Sequence, residues 1–125
     1  MTRLEHVNVT VADPDKTAAV LCHLFGWRIR WTGAGMTTGQ SVHVGGDDSY
    51  VALFSYGDAQ AGHAESYRTQ GGLNHIAVVV DDLAGTEALI SKAGYVTMNH
   101  ADYEPGRRFY FREENGIEIE VVSYA

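Results

Sequence analysis

Leu4-Glu5-His6-Val7-Asn8-Val9-Thr10-Val11-Ala12-Asp13 lies over Leu73-Asn74-His75-Ile76-Ala77-Val78-Val79-Val80-Asp81-Asp82 at an offset of 69 residues (75 − 6). Leucine meets leucine, histidine meets histidine, and Asp13 meets Asp82. Downstream, Thr17 meets Thr86, Ala19 meets Ala88, and Val20-Leu21 meet Leu89-Ile90. After a slip of one residue, Gly26-Trp27 meets Gly94-Tyr95. Val51-Ala52-Leu53-Phe54-Ser55-Tyr56 then falls on Ile119-Glu120-Val121-Val122-Ser123-Tyr124 at an offset of 68 (120 − 52). Two collinear matches at nearly one offset mark an internal duplication rather than two unrelated amphipathic segments.

Each copy reads as βαβββ. Residues 4–11 alternate between polar and β-branched, which predicts a strand. Asp13-Pro14 supplies an N-cap and a proline near the first helical position. Ala18, Val20, Leu21, Leu24 and Phe25 follow at helical spacing, predicting a helix over 14–25 closed by Gly26. Strands are expected at 27–32, 40–45 and 50–56, then at 73–80, 95–99, 107–112 and 117–124, with a second helix at 83–93. Asn115-Gly116 is expected to supply both positive-φ residues of a tight hairpin turn. The fold class is α+β, one domain over 1–125. Module one spans 1–57, a polar, Gly-rich linker 58–72, and module two 73–125. Their pseudo-twofold relation predicts a curved mixed sheet around a cleft.

Composition agrees with one ordinary globular domain: 125 residues, 45% apolar and 20% charged. The formal charge is −7, and the Lys and Arg residues are scattered apart from Arg107-Arg108, so no basic face for nucleic acid is expected. Cys22 is the sole cysteine, which excludes an internal disulfide and a thiolate zinc site. No run approaches the ~20 apolar residues of a membrane span, and residues 1–6 carry no apolar signal core. A cytoplasmic protein without a membrane partner is expected.

Side chains alternate along a strand. His6, Asn8 and Thr10 therefore share one face, opposite the valines that suit the helix. His75 holds the same place in the second copy, opposite Ile76, Val78 and Val80. Glu118, Glu120 and Val122 share a face of the last strand, and mid-strand is an expensive place for an unpaired carboxylate. Across the predicted cleft, His6 and His75 would face each other with Glu120 approaching from the closing strand. Two imidazoles and one carboxylate suit a divalent metal with open positions. The counterpart of Glu120 in the first copy is Ala52, which cannot coordinate, so three protein ligands leave room for substrate.

These residues resemble the vicinal oxygen chelate superfamily, which includes glyoxalase I, methylmalonyl-CoA epimerase, extradiol dioxygenases, fosfomycin-modifying enzymes and bleomycin-resistance proteins. The carriers are Leu4-Glu5-His6-Val7, Gly26-Trp27, Gly72-Leu73-Asn74-His75-Ile76-Ala77-Val78 with Asp81-Asp82, and Phe109-Tyr110-Phe111 running into Asn115-Gly116-Ile117-Glu118-Ile119-Glu120. The resemblance covers nearly the whole chain. It implies His6, His75 and Glu120 as ligands of a divalent ion (Fe, Mn, Zn or Ni), a small-molecule substrate chelating through adjacent oxygens, and a homodimer. It implies catalytic roles for Glu120 and for Tyr110, whose phenol would meet a substrate oxygen.

Ala52 occupies the position where glyoxalase I and the epimerases carry an acid or amide, which points instead toward members with two histidines and one glutamate. His100 stands where fosfomycin enzymes carry lysine, and Asn8 where they carry threonine, so antibiotic modification is not favoured. Ring-cleaving members use a further acid–base histidine, for which His43 and His63 are candidates. His43, Tyr50, Ala52, Phe54 and Arg107 are expected to contact substrate, with Tyr103, Glu104 and Arg107-Arg108 in a covering loop. The alternative is a metal-free binding protein of the bleomycin-sequestering kind, for which the acidic charge suits a cationic ligand. A domain with a vestigial site is the third reading.

Overall fold

The computed structural model describes residues 1–34, 39–62, 65–103 and 105–125. The described elements run β1 (His6–Thr10), α1 (Pro14–Phe25), β2 (Arg28–Ala34), β3 (Gln40–Gly45) and β4 (Tyr50–Phe54), followed by β5 (Ile76–Val79), α2 (Leu83–Lys92), β6 (Met98–Tyr103), β7 (Gly106–Arg112) and β8 (Glu118–Ser123). The chain is thus α+β and written twice as βαβββ. It divides into two compact units, Met1–Ala61 and Gly62–Ala125. Among the described residues no helix is long and apolar enough to cross a membrane.

Both helices start the way the duplicated aspartates dictate. The Asp13 carboxylate accepts from the Lys16 N–H at 3.2 Å, and the Asp82 carboxylate from the Gly85 N–H at 3.0 Å. Each satisfies one of the donors a helix start leaves free. Gly26, at φ 68°, ends α1 in the left-handed conformation that a Cβ disfavours. Asp13→Ala is therefore expected to cost about 1 kcal/mol, read as a shift in the urea midpoint without a change of slope.

In the first unit the strand order is β1-β4-β3-β2, with β1 parallel to β4 and the other pairs antiparallel. The second unit repeats this as β5-β8-β7-β6. Alternation then sends Val42, Val44, Val51 and Leu53 to the buried side of the first sheet, which α1 covers with Ala18, Leu21 and Leu24. Phe109, Phe111, Ile119 and Val121 are their buried equivalents in the second. The opposite faces carry the polar set.

Three local expectations need correction. Tyr103, Arg107 and Arg108, expected in a covering loop, lie in strands: Tyr103 ends β6 and pairs with Gly106, and Arg107 and Arg108 are inside β7, in keeping with the strand expected at 107–112 (Glu104 lies outside the described residues). β6 also begins at Met98 rather than at 95, and its register shifts between Met98 and Ala101, where Asn99 has φ 54°. In the 115–116 turn only Gly116 has positive φ. Glu113 explains this. Its buried carboxylate accepts from the backbone N–H of Asn115 and of Ile117, holding a four-residue turn closed by Gly116 N–H to the Glu113 carbonyl. The stretch expected as a linker contains a 3-10 turn, Ser66–Arg68, which places Tyr67 near the second sheet's polar face.

Candidate functional site

The register fixes which side chains share the polar face of each sheet. In the second unit Ala77 and Tyr110 both pair with Glu120, and Arg108 pairs with Val122. In the first unit Asn8 and His43 both pair with Ala52, and His6 pairs with Tyr50. Tyr110 thus occupies the place of His43, and Glu120 the place of Ala52.

Glu120 is 7% exposed, and a carboxylate so enclosed needs partners. It has three. Tyr110 donates its O–H to Oε1 at 2.7 Å, Arg108 donates Nη1–H to Oε2 at 3.3 Å, and His75 Nε2 stands 3.3 Å from Oε1. Its hydrogen bond to Glu120, with burial second, pushes the Tyr110 phenol up to about 12, so it remains a donor through neutral pH.

A second chain of contacts engages His75 Nδ1. Tyr67 donates its only proton to Glu118 Oε2 at 3.0 Å, and its oxygen stands 3.3 Å from His75 Nδ1. Burial first, and then Glu118, raise the Tyr67 phenol above its ordinary range, so it keeps that proton. With the Tyr67 proton committed to Glu118, Nδ1–H donates to the phenol oxygen, and Nε2 is the nitrogen directed to Glu120.

The first unit reaches the same result by a shorter route. His6 Nδ1 lies 2.9 Å from Glu5 Oε1. The His6 hydrogen bond holds the Glu5 carboxyl below the usual range, so Glu5 is the acceptor and His6 Nδ1 the donor. Both histidines thus have Nδ1 anchored toward a carboxylate, the arrangement that orients metal-binding imidazoles.

The donor chemistry of this set fits a divalent ion. An imidazole nitrogen and a carboxylate oxygen facing each other at 3.3 Å have room for a proton or a cation between them. Two ligand atoms on one ion, each bonded at about 2.1 Å, stand about 3.0–3.4 Å apart. Among the described residues no group of three or more His, Cys, Asp or Glu side chains stands together. The structure brings His75 and Glu120 together within the second unit, and His6 belongs to the first.

Around His6 the first sheet lays out a row of rings. His6 stacks on Tyr50 at 4.8 Å, Tyr50 on His43 at 4.6 Å, and His43 meets Trp31 at 4.9 Å. The Arg30 guanidinium lies 4.5 Å above the Tyr50 ring. Burial, then the neighbouring His6 and Arg30, hold His43 below the ordinary imidazole range, so it is neutral at pH 7. Ala52 shares this face but is 2% exposed, a floor beneath the rings rather than a surface. Phe54 is half-buried at the end of the row, beside Tyr56.

Arg107 does not join the site. It pairs with Ser123, one residue out of step with Arg108 and Tyr110, and so belongs to the other face. His100 is turned away as well, bonded to Glu87 of α2 at 2.6 Å and stacked on buried Phe109. His63 lies outside the described residues. Sequence reading gave Arg108 no role beyond a covering loop, put Glu118 on the Glu120 face without a role, and missed Tyr67. Alternation from Tyr110 was the signal for Arg108, and from Glu120 for Glu118, whereas Tyr67 sits in a stretch with no periodicity. Arg108 carries the one anomaly: its Nε and Nη2 are buried and find no hydrogen-bond partner among the described residues. Each such orphan costs about 1–3 kcal/mol.

Known structures share this fold. The chain aligns over 98% of its length, and 98% of the other, with a glyoxylase/bleomycin resistance protein/dioxygenase domain from Frankia sp. EAN1pec (21% identity, TM-score 0.82). The trypanothione-dependent glyoxalase I of Leishmania major matches over 99% of this chain and 88% of its own (19% identity, TM-score 0.80). A genomically encoded fosfomycin resistance protein of Listeria monocytogenes matches over 98% and 93% (17% identity, TM-score 0.74). No curated protein sequence gives a match. Residues 3–121 match one family along almost the entire chain, and the protein belongs to the Glyoxalase/Bleomycin resistance protein/Dioxygenase superfamily.

Proposed function

We propose that this protein is a metal-dependent enzyme acting on a small molecule that presents two adjacent oxygens to a divalent ion held by His6, His75 and Glu120. The observation that carries this reading is the shared state of the two histidines. At equivalent positions of a duplicated sheet, each has Nδ1 engaged, to Glu5 in His6 and to Tyr67 in His75, and His75 Nε2 stands 3.3 Å from Glu120 Oε1.

A divalent ion bound there (Fe, Mn, Zn or Ni) supplies Lewis-acid polarisation of substrate oxygens. The chain's own residues do the rest. Glu120 offsets charge, and its Oε1 is held in place by the Tyr110 O–H. Tyr110 keeps its proton at working pH and offers its phenol oxygen beside that carboxylate. His43, Tyr50 and Trp31 present stacked ring surface to a flat substrate, and neutral His43 has a nitrogen able to accept a proton.

The functional state is proposed to be a homodimer. β1 and β5 are outer strands of their sheets, and Leu4, Leu73 and Val79 beside or within them are 65–81% exposed. The test is direct. Metal-stripped protein dialysed separately against manganese, iron, zinc and nickel is expected to retain about one ion per chain with at least one of them, read by elemental analysis. Retention of none, with a cationic aromatic ligand still bound, is the result of a metal-free sequestering protein and overturns the proposal.

A further inference from the structure

We propose that Arg108 selects an oxyanionic substrate, gripping a two-oxygen anionic group with the free side-on edge of its guanidinium. The proposal names the substrate class of the site described above and rests on that reading. Arg108 is 15% exposed and tied at one corner only, Nη1 to Glu120 Oε2 at 3.3 Å. Nε–H and Nη2–H, which point the same way from the guanidinium plane's long edge, are the two donors without partners among the described residues. That pair is the fork that takes two oxygens of one carboxylate or phosphonate side-on.

Glu120 fixes the fork's orientation, so no side-chain ordering remains for the ligand to impose. Charge points the same way. With a divalent ion on Glu120, that one carboxylate faces both the ion and the Arg108 cation, and the surplus positive charge calls for an anion. The cover over the guanidinium includes the Tyr103 ring, 5.9 Å from its centre at the exposed end of β6. A ring so placed can swing aside without disturbing the buried face of the sheet. Tyr110, two residues along β7 on the same face, places the fork beside the proposed reacting centre.

The experiment is a titration followed on the Arg108 Nε–H resonance by 15N NMR, in metal-free and in zinc-loaded protein. The probes are acetate and methylphosphonate, neither of which offers two vicinal oxygens to an ion. Saturable downfield movement of that resonance is expected with at least one probe, and which one responds tells a carboxylate from a phosphonate substrate. Arg108→Lys keeps the charge and a partner for Glu120 but loses the fork, and is expected to bind about tenfold more weakly or worse. An Nε–H that does not move with either probe, or equal binding by Arg108→Lys, overturns the proposal. The metal-free arm judges Arg108 even if zinc fails to bind, whereas zinc binding without any anion response sinks Arg108 alone.

Discussion

Glu120→Gln is expected to weaken divalent-ion binding by about a hundredfold or more, measured by competition with a chromophoric chelator. Loss of a group that merely orients a ligand costs about 10–100-fold, and Glu120 is proposed as a ligand and as the only anionic one. The amide keeps one oxygen to accept from Arg108 Nη1, and its NH2 can donate to the Tyr110 phenol oxygen, so the fold is expected to survive. Glu120→Ala separates the two roles of this side chain. It strands a mostly buried guanidinium whose Nε and Nη2 have no partner among the described residues, and a buried pair broken on one side costs about 3–5 kcal/mol. The alanine variant is therefore expected to lose stability as well as metal. Equal ion affinity in Glu120→Gln and the parent protein removes Glu120 from the ligand set.

An equally large effect on stability is expected at the opposite face of the same sheet. Phe109 is fully buried, pairs with Val121, and packs on the His100 ring at 5.8 Å. Phe109→Ala removes that volume from a small core, and the cost is expected to be about 3–5 kcal/mol. Against the ~5–15 kcal/mol that holds an ordinary domain together, this is enough to leave much of the protein unfolded at 37 °C. Val96→Ala, at an apolar position 74% exposed, is expected to stay within about 0.5 kcal/mol. Denaturation followed by circular dichroism distinguishes the two, and a Phe109→Ala midpoint matching that of Val96→Ala contradicts the assignment of the core.

Much of this architecture could be read from the chain because its duplication repeats each signal. Asp13 and Asp82 both cap helices, and Gly26 and Gly94 both adopt positive φ. The alternation around His6 and Glu120 assigns faces that the strand register upholds. Where reading failed, parity or context was the reason. Arg107 and Arg108 differ by one residue, and one residue decides which face of a strand a side chain occupies. Assigning both to a covering loop as well as to the 107–112 strand left that choice unmade. The left-handed Asn99 breaks the register of β6, and no pattern in residues 95–103 announces it. The turn before β8 follows the Glu113 carboxylate rather than the Asn115-Gly116 pair. Tyr67 reaches His75 from a polar stretch without periodicity, so only the folded chain shows that it engages Nδ1.

The central claim is settled most directly by X-ray absorption at the metal edge of protein loaded with one equivalent of zinc or manganese. The scattering pattern counts imidazoles bound to the ion. Two rings in the parent protein and one in each of His6→Ala and His75→Ala is the result expected here. A shell of water and carboxylate oxygens alone, unchanged by either substitution, contradicts it.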